Sequence, residues 1–419
     1  MALASDLPRP QFRFGMLIYD TRYRTITIQV IVLILALIFA GWLLDNVRTN
    51  LSLKGKDIDF SFLFRRAGYD IGQHLIPYNN DMTHGRAALV GLLNTLVVAV
   101  IGCILSTILG VFLGVLRLSN NWIVSRLIGA YVEIFRNVPL ILWMILVGTV
   151  LVDTRPQPKD FKVVDGVAKA SMNLWDSVAI TNRSTNVPMP LLDRPLPAFG
   201  NESFPINTSL IFVLALVAGS FYVNRLILRR AKTVQEATGV RPATWWKSIL
   251  VLIGPTLAAL LAMGFHLEYP VFKGFNFQGG IQFDHAFTAL TIALTLYYAA
   301  VTAEIVRSGI QAISRGQSEA AFALGLRPGI TTRLVILPQA LRVIIPPMIS
   351  QFLSLTKDTS LGIAVSYLDL RGTLGGITLN QTGRELECML LLMLIYLIIS
   401  LIISAIANAY NASIKLKER

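Results

Sequence analysis

Residues 316–347 read GQSEAAFALGLRPGITTRLVILPQALRVIIPP, a basic segment punctuated by glycine and proline between two apolar stretches. Its first part, residues 319–326, consists mostly of good helix formers, and Gly325 indicates a helix end. A second helical turn is predicted over residues 330–337, before Pro338. The pattern predicts two short helices joined by a tight turn and lying across a membrane surface. An ordinary amphipathic surface helix is the alternative interpretation.

The composition places this segment in a membrane protein. Of the 419 residues, 54% are hydrophobic, and several apolar stretches reach the ~20 residues that a helix needs to cross a bilayer. The sequence therefore predicts an all-α, polytopic membrane protein. We expect eight membrane-spanning helices, at about residues 26–44, 88–116, 127–152, 209–226, 246–265, 286–312, 343–365 and 387–409.

The distribution of charge predicts the orientation of these spans. The formal net charge is +13. With both termini in the cytoplasm, the short loops on the opposite side hold only Lys273, Arg371 and Arg384. Because this asymmetry sets topology, we expect both termini and the 316–347 segment to be cytoplasmic. The basic residues stand at membrane ends rather than on one groove-facing element, so no nucleic-acid partner is expected.

Several kinds of chemistry are not indicated by the sequence. Cys103 and Cys388 both lie in apolar spans, where small packing residues are a better interpretation than a disulfide or a metal pair. Four scattered histidines form no metal-binding pattern, and no Walker A lysine motif occurs. We therefore expect no metal site, no cofactor and no enzymatic activity in this chain.

The 316–347 segment and four further motifs resemble those of binding-protein-dependent ABC importer permeases. Glu319-Ala320-Ala321, Gly325 and the Leu337-Pro338 pair have the spacing of the EAA loop, where an ATPase subunit grips the membrane subunit in that family. The other motifs read GLLNTL at 91–96, EIFRNVPL at 133–140, and AEIVRSGI at 303–310 with KDTSL at 357–361. Together they resemble the polar amino-acid branch, and the added first span and central insertion are similar to the general L-amino-acid permeases.

The motifs also suggest an organisation along the chain. We expect an N-terminal tail, first span and loop over residues 1–84, and two parts of the permease core over 85–151 and 286–412. An insertion with two extra spans is expected over 152–285, and a cytoplasmic tail over 413–419. Residues 153–208 within the insertion are polar and rich in proline, so they are expected to be loosely structured or folded against a partner.

The resemblance implies a type I ABC importer permease core in a bacterial inner membrane. The implied partners are ATP-binding subunits, which would bind ATP and Mg²⁺, a second permease subunit (identical or different), a periplasmic substrate-binding protein, and membrane lipids. It implies import of L-amino acids from periplasm to cytoplasm by alternating access. The expected ATPase-docking residues are Glu319, Ala320, Ala321, Gly325 and Arg327. A secondary amino-acid transporter driven by an ion gradient is the alternative function.

Ionisable residues inside a span are expensive and therefore candidate functional residues. The candidates for substrate binding are Lys357, Asp358, Thr359 and Ser360, which lie roughly 15 Å beyond Pro347 along a helix, near the expected bilayer midplane. Asp358 could accept the ammonium group of an amino acid and Lys357 could donate to its carboxylate. An alternative is that Lys357 and Asp358 join helices of two subunits. Because they are adjacent, they point to different faces, and at most one is expected to contact substrate.

Two further pairs of charged residues have i,i+3 spacing, which places each pair on one helical face. Glu133 and Arg136 precede Pro139, which predicts a bend. These two residues are candidates for substrate binding or for a structural ion pair. Glu304 and Arg307 are expected to act, with Pro139, as a gate or hinge near the 316–347 segment. The separate motif Gly110-Val-Phe-Leu-Gly114 permits close helix contact, within the subunit or in a dimer.

Overall fold

The computed structural model describes residues 15–53, 55, 58–164, 167–201 and 204–414, and most of this chain is helical. The α-helices are α1 (Met16–Tyr19), α2 (Thr21–Leu53), α3 (His84–Leu116), α4 (Trp122–Asn137), α5 (Leu140–Thr154), α6 (Thr208–Thr238), α7 (Trp245–Ala262), α8 (His285–Gln311), α9 (Arg315–Ala323), α10 (Pro328–Thr331), α11 (Leu337–Asp358), α12 (Leu370–Gly372), α13 (Leu379–Thr382) and α14 (Glu385–Ile414). Shorter 3₁₀ or π turns join some of them, at Ser61–Phe64, Pro158–Phe161, Thr332–Ile336, Thr359–Val365 and Thr373–Thr378.

The number of candidate spans agrees with the sequence. In the part of the chain that the structure describes, seven helical stretches are long and apolar enough to cross a membrane, and one bent pair raises the number to eight. That pair is α4 and α5, which meet at 105°. The predicted span at 127–152 is therefore sharply bent between α4 and α5, at the proline that predicted a bend. Pro139 lies between the two helices, where its ring prevents a continuous helix and redirects the chain.

The chain forms two compact units, Met1–Phe60 and Ser61–Arg419. The first contains α1 and α2, and the apolar side chains of α2 are exposed along its length. The predicted segment 1–84 is therefore divided at Phe60. Phe62 and Ile71 are almost completely buried and pack in clusters with residues of α3, so residues 61–83 belong to the second unit.

In the second unit, α8 packs closely against α3 because α3 has small residues on one face. A side chain at Gly110 would have its Cβ 2.3 Å from the Cβ of Thr302, and one at Gly114 would lie 2.8 Å from the carbonyl oxygen of Ala303. Both glycines are therefore required for contact within the chain. The interpretation of the Gly110–Gly114 motif as a packing motif inside the subunit is confirmed.

The main apolar core surrounds the first half of α8. Buried residues from α3, α5, α8, α11 and the loop before α12 contact one another there: Val98, Ala99, Leu140, Met144, Phe287, Leu290, Ala293, Leu294, Tyr298, Leu355 and Tyr367. Both predicted packing cysteines are free thiols, with Cys388 buried and Cys103 half-buried beside this core.

The insertion contains short β-strands. They are β1 (Val163–Val164), β2 (Val167–Ala168), β3 (Ala179–Ile180), β4 (Ser184–Val187), β5 (Met189–Leu192), β6 (Phe199–Asn201), β7 (Phe204–Ile206), β8 (Phe265–Glu268), β9 (Val271–Lys273), β10 (Asn276–Gln278) and β11 (Ile281–Asp284). β4 pairs antiparallel with β3 and β11, and β5 pairs with β8. Where the structure describes them, residues 153–208 are therefore not loosely structured, because β4 and β5 pair with strands that follow α7 in the same chain.

The segment after α9 also differs from the prediction. Residues 328–358 form one continuous helical path, so the predicted short helix does not end before Pro338. A π turn over Thr332–Ile336 precedes α11, and the Leu337 N–H donates to the Thr332 carbonyl. Pro338 is thus the second residue of α11, where its missing N–H does not interrupt a regular series of helical backbone hydrogen bonds. The predicted span 343–365 consequently begins earlier in the chain.

Candidate functional site

The α9 segment forms a helix with a defined end. The Leu326 N–H donates to the Ala321 carbonyl at 3.1 Å, and the Gly325 N–H donates to the Phe322 carbonyl at 2.9 Å. This is the Schellman arrangement, which requires a left-handed residue after the helix, and Gly325 has φ +74°. The predicted helix and glycine turn are confirmed, although the helix begins at Arg315 rather than at Glu319.

Four of the five predicted docking residues lie on the surface. Glu319, Ala320, Gly325 and Arg327 are exposed, whereas Ala321 is 4% exposed. Ala321 therefore anchors α9 to the protein rather than contacting a partner. Glu319 lies in the middle of α9, whose N-cap is Ser314.

An apolar surface that the motif did not predict lies beside these residues. Phe322 is 50% exposed, Leu324 is 81% exposed and Leu334 is 64% exposed. A link between α9 and α11 was also not predicted, in which Gln339 Nε2 donates to Gln317 Oε1 at 3.1 Å. Exposed apolar residues on a rigid segment that carries its own hydrogen bonds are typical of a docking surface. Their only signal in the sequence is that Phe322 and Leu324 follow the small residues of the motif.

The central polar contact in the bundle joins α8 to α11. The Tyr298 hydroxyl donates to Oδ2 of Asp358 at 2.7 Å. Gln351 Nε2 donates to the Tyr298 carbonyl at 2.9 Å and to the Thr302 hydroxyl at 2.6 Å. Tyr298 is equally far in sequence from both ends of α8, about 20 Å from each at ~1.5 Å per residue. Asp358 thus lies at half the depth of α8. The sequence feature that could have indicated Tyr298 is its phenol group, which stands in the middle of an apolar span.

The neighbours of Asp358 lie in different environments. Lys357 is exposed and Asp358 is half-buried, as adjacent residues on different helical faces should be. Thr359 is completely buried and its hydroxyl donates to the Thr356 carbonyl at 2.9 Å. This position does not fit the predicted role of Thr359 in substrate binding. The carbonyl of Ser360 accepts a 3.4 Å hydrogen bond from Arg371.

A network of charged residues joins the ends of three helices next to α9. Arg307 makes two hydrogen bonds to Glu304, at 2.6 and 3.3 Å, and Arg117 at the end of α3 makes a further ion pair with Glu304. Arg117 also lies 3.8 Å from Glu133 of α4. The predicted pairing of Glu304 with Arg307 is confirmed. The predicted pairing of Glu133 with Arg136 is wrong, since the ion pair of Glu133 is with Arg117 and Arg136 is exposed.

Three cavities adjoin the core. The first has a volume of about 560 Å³ and includes Arg117, Glu133 and Arg307 in its lining. It lies beside the Glu304 network, the name used below for the charged residues Arg117, Glu133, Glu304 and Arg307. A second of about 330 Å³ lies near the start of α8, between α5 and Ala364–Ser366, and a third of about 230 Å³ lies between residues 72–75, α3 and β11. None of these three is lined by Lys357, Asp358, Thr359 or Ser360.

Comparisons with known proteins identify the family. Residues 211–416 match the family described as binding-protein-dependent transport system inner membrane component. Over 426 aligned positions, which cover all of both chains, the sequence is 62% identical to the glutamate/glutamine/aspartate/asparagine transport system permease protein BztB of Rhodobacter capsulatus. The chain belongs to this permease family.

Two further relatives match along nearly their full length. The general L-amino acid transport system permease protein AapQ of Rhizobium johnstonii is 39% identical over 97% of this chain and 96% of its own. The putative amino-acid ABC transporter permease protein YhdX of Escherichia coli is 38% identical over 93% of this chain and 94% of its own. The chain is thus a permease subunit rather than an enzyme, ATP hydrolysis belongs to a separate subunit, and family membership does not support the ion-gradient alternative.

Proposed function

We propose that this chain is the permease subunit of an ATP-driven importer that carries glutamate, glutamine, aspartate and asparagine from periplasm to cytoplasm. The observation that carries the transport mechanism is α9, a short rigid helix between two long helices. It has an exposed apolar rim, formed by Phe322 and Leu324. The cargo follows from the name of the relative that is 62% identical along its whole length. A broader L-amino-acid range is the second candidate, because a general L-amino-acid permease is also a full-length relative.

The proposed orientation places α9 and both termini in the cytoplasm. The strands β3, β4 and β11 precede α8 and α9 follows it, so the strands and α9 lie at opposite ends of that helix. The excess of lysine and arginine at the α9 end supports a cytoplasmic position for it. The strands would then face the periplasm, where a substrate-binding protein delivers the cargo.

In the proposed mechanism, two ATPase subunits bind ATP and Mg²⁺ and close against α9 in this chain and in a second permease subunit. A rigid helix can transmit this movement because its end is fixed by the Gly325 turn and by the Gln317–Gln339 hydrogen bond. Movement of α9 would reorient α8 and α11, which it joins. The Glu304 network and the bend at Pro139 would act as the gate or hinge between the two orientations.

The proposed contact with substrate is Asp358. Its half-buried carboxylate at half the depth of α8 could accept a hydrogen bond from an amino acid's ammonium group. Tyr298 would hold that carboxylate in place. Lys357, on the other face of α11, fits a contact with the second permease subunit better than a contact with the same substrate. The cargo carboxylates would then need donors from elsewhere along the path.

The docking proposal can be tested by placing a charge on the exposed apolar rim. Leu324→Asp puts a carboxylate where an ATPase subunit would bury it, while the 81% exposure of Leu324 leaves the fold intact. We expect loss of ATPase co-purification and of ATP-dependent uptake of labelled glutamate in proteoliposomes. The matched control is Phe275→Asp, since Phe275 is 91% exposed in the turn between β9 and β10. Normal ATPase binding and uptake by Leu324→Asp would contradict the docking assignment.

The cargo is tested in the same proteoliposomes by competition. A tenfold excess of unlabelled glutamine, aspartate or asparagine should suppress glutamate uptake, whereas leucine and histidine should not. Suppression by all five amino acids would favour the broader range. Uptake that persists without the ATPase subunits, and that an ion gradient drives, would contradict ATP-driven transport altogether.

A further inference from the structure

The cavity of about 560 Å³ beside the Glu304 network carries excess positive charge. Its lining includes Arg117, Arg126 and Arg307 but one carboxylate, that of Glu133. Glu304 does not line the cavity but pairs with Arg117 and Arg307. Even when it is counted, three guanidinium groups stand against two carboxylates. Ser125 and Gln311 add polar groups to the same lining. This donor set favours an anion, and guanidinium groups suit the geometry of phosphate oxygens in particular.

Helix α4 packs against α8 with one side and faces the cavity with another. Ile128 and Val132 are buried against Ala300 and Ala303 of α8. The polar side of α4, with Ser125 and Arg126, faces the cavity.

Exposed apolar side chains lie beside this basic side of α4. Trp122 is 71% exposed and stands one turn before Arg126, and Ile123 and Leu127 are exposed by 59% and 67%. An aromatic ring beside basic residues at a helix end is typical of the membrane interface, where the ring lies at the level of the lipid headgroups. An occupant of the cavity would therefore have acyl chains available on the same helix.

The cavity also lies at the right depth for a headgroup. Arg117 directly follows α3 and Gln311 is the last residue of α8, so the lining residues stand at the ends of two long apolar helices. We propose that this cavity binds the phosphate group of an anionic phospholipid from the cytoplasmic leaflet, with its acyl chains along Trp122, Ile123 and Leu127. The leaflet rests on the proposed orientation, in which α9 is cytoplasmic.

Occupancy of this site would affect coupling, because the same residues link α3, α4 and α8 directly before α9. A phosphate bound between Arg117, Arg126 and Arg307 would hold the three helix ends together. Anionic lipid would thus stabilise the arrangement through which α9 transmits movement. A free phosphate ion offers the same oxygens without acyl chains, so the experiment must separate these two sources.

The test uses the assembled transporter in nanodiscs of phosphatidylcholine with increasing phosphatidylglycerol, and records the thermal unfolding midpoint and the ATPase rate. For the wild type we expect both to rise with phosphatidylglycerol and not with millimolar inorganic phosphate in phosphatidylcholine alone. Arg126→Gln should lower the apparent affinity for phosphatidylglycerol by roughly tenfold, since it removes a charge-assisted contact. Because Arg126 lies outside the Glu304 network, the unfolding midpoint of the Arg126→Gln variant in phosphatidylcholine should equal that of the wild type.

The matched control is Arg229→Gln, which removes one exposed positive charge from α6, outside the cavity. It should keep the wild-type response to phosphatidylglycerol. An equal loss in both variants would mean general attraction of a basic protein to an anionic surface and would overturn the proposal. A full response to inorganic phosphate alone would overturn the lipid as its source. Glutamate uptake is measured in parallel in proteoliposomes of the same lipids. If the proposed transport function is wrong, uptake should be absent at every lipid composition, which distinguishes that failure from the results above.

Discussion

At the scale of single residues, the proposed contact with substrate is a polar group among apolar neighbours. Asp358 is held by the Tyr298 hydroxyl, and the carbonyl of Tyr298 accepts from Gln351. The Tyr298 hydroxyl thus fixes Oδ2 of the carboxylate in position. Its neighbour Lys357 is exposed on a different face of α11, so the two residues can be tested independently.

We expect Asp358→Asn to abolish uptake of the cargo, because the neutral amide loses the charge that attracts the substrate ammonium. Lys357→Gln should keep uptake within about threefold of the wild type, a change below 1 kcal/mol. Tyr298→Phe should lie between them, since Asp358 keeps its charge but loses its positioning bond. Uptake of labelled glutamate, with ATPase co-purification as the check on assembly, measures all three. Normal uptake by an assembled Asp358→Asn complex would contradict the assignment.

Gly325 is a second single residue with a specific requirement. At φ +74° a Cβ costs roughly 1–2 kcal/mol, so Gly325→Ala should loosen the end of α9 and reduce the transport obtained per ATP hydrolysed. Gly325→Asn should recover part of the loss, because asparagine tolerates the left-handed region better. The control is Gly329→Ala, since Gly329 has an ordinary helical φ and open space around its Cβ position. Equal transport-to-ATP ratios for the two alanine variants would show that the turn does not affect coupling.

At the scale of whole elements, the distance between α3 and α8 is set by glycine. Gly110→Ala places a Cβ within 2.3 Å of Thr302, so the helices must separate, at a cost of about 1–3 kcal/mol. Gly219→Ala in α6 meets nothing within 4 Å and gains helix propensity. Thermal unfolding in detergent should therefore give a lower midpoint for Gly110→Ala and an unchanged or higher one for Gly219→Ala. A lower midpoint for both would mean that any added methyl group destabilises these helices.

At the scale of the whole molecule, the chain divides at Phe60 into two compact units. The buried apolar residues of the described chain begin at Phe62, and no core cluster there includes a residue of α1 or α2. Removal of residues 1–57 should therefore leave the second unit folded. We expect a cooperative unfolding transition with a midpoint within a few degrees of that of the full chain. A broad transition, or loss of protein from the membrane, would indicate that α2 supports the core.

Much of this architecture could be predicted because it depends on local sequence. Apolar runs gave the number of spans, Pro139 gave the break between α4 and α5, and Gly325 gave the turn after α9. The failures occurred where a distant segment decided the outcome. Glu133 has Arg136 at the right helical spacing, yet its ion pair is with Arg117 on another helix. Ala321 belongs to the docking motif, yet tertiary packing buries it.

The sequence by itself determined the membrane class, the positions of most helices and the permease family, because hydrophobic runs, glycine turns and motif spacing act within a few residues. Only the tertiary structure decided which polar groups meet. Tyr298 and Asp358 are 60 residues apart in sequence, and Arg117 and Glu304 are 187 apart. The strands β4 and β5 likewise pair with strands beyond α7. Such contacts depend on how helices of fixed length pack through their small residues, and no local pattern records that geometry.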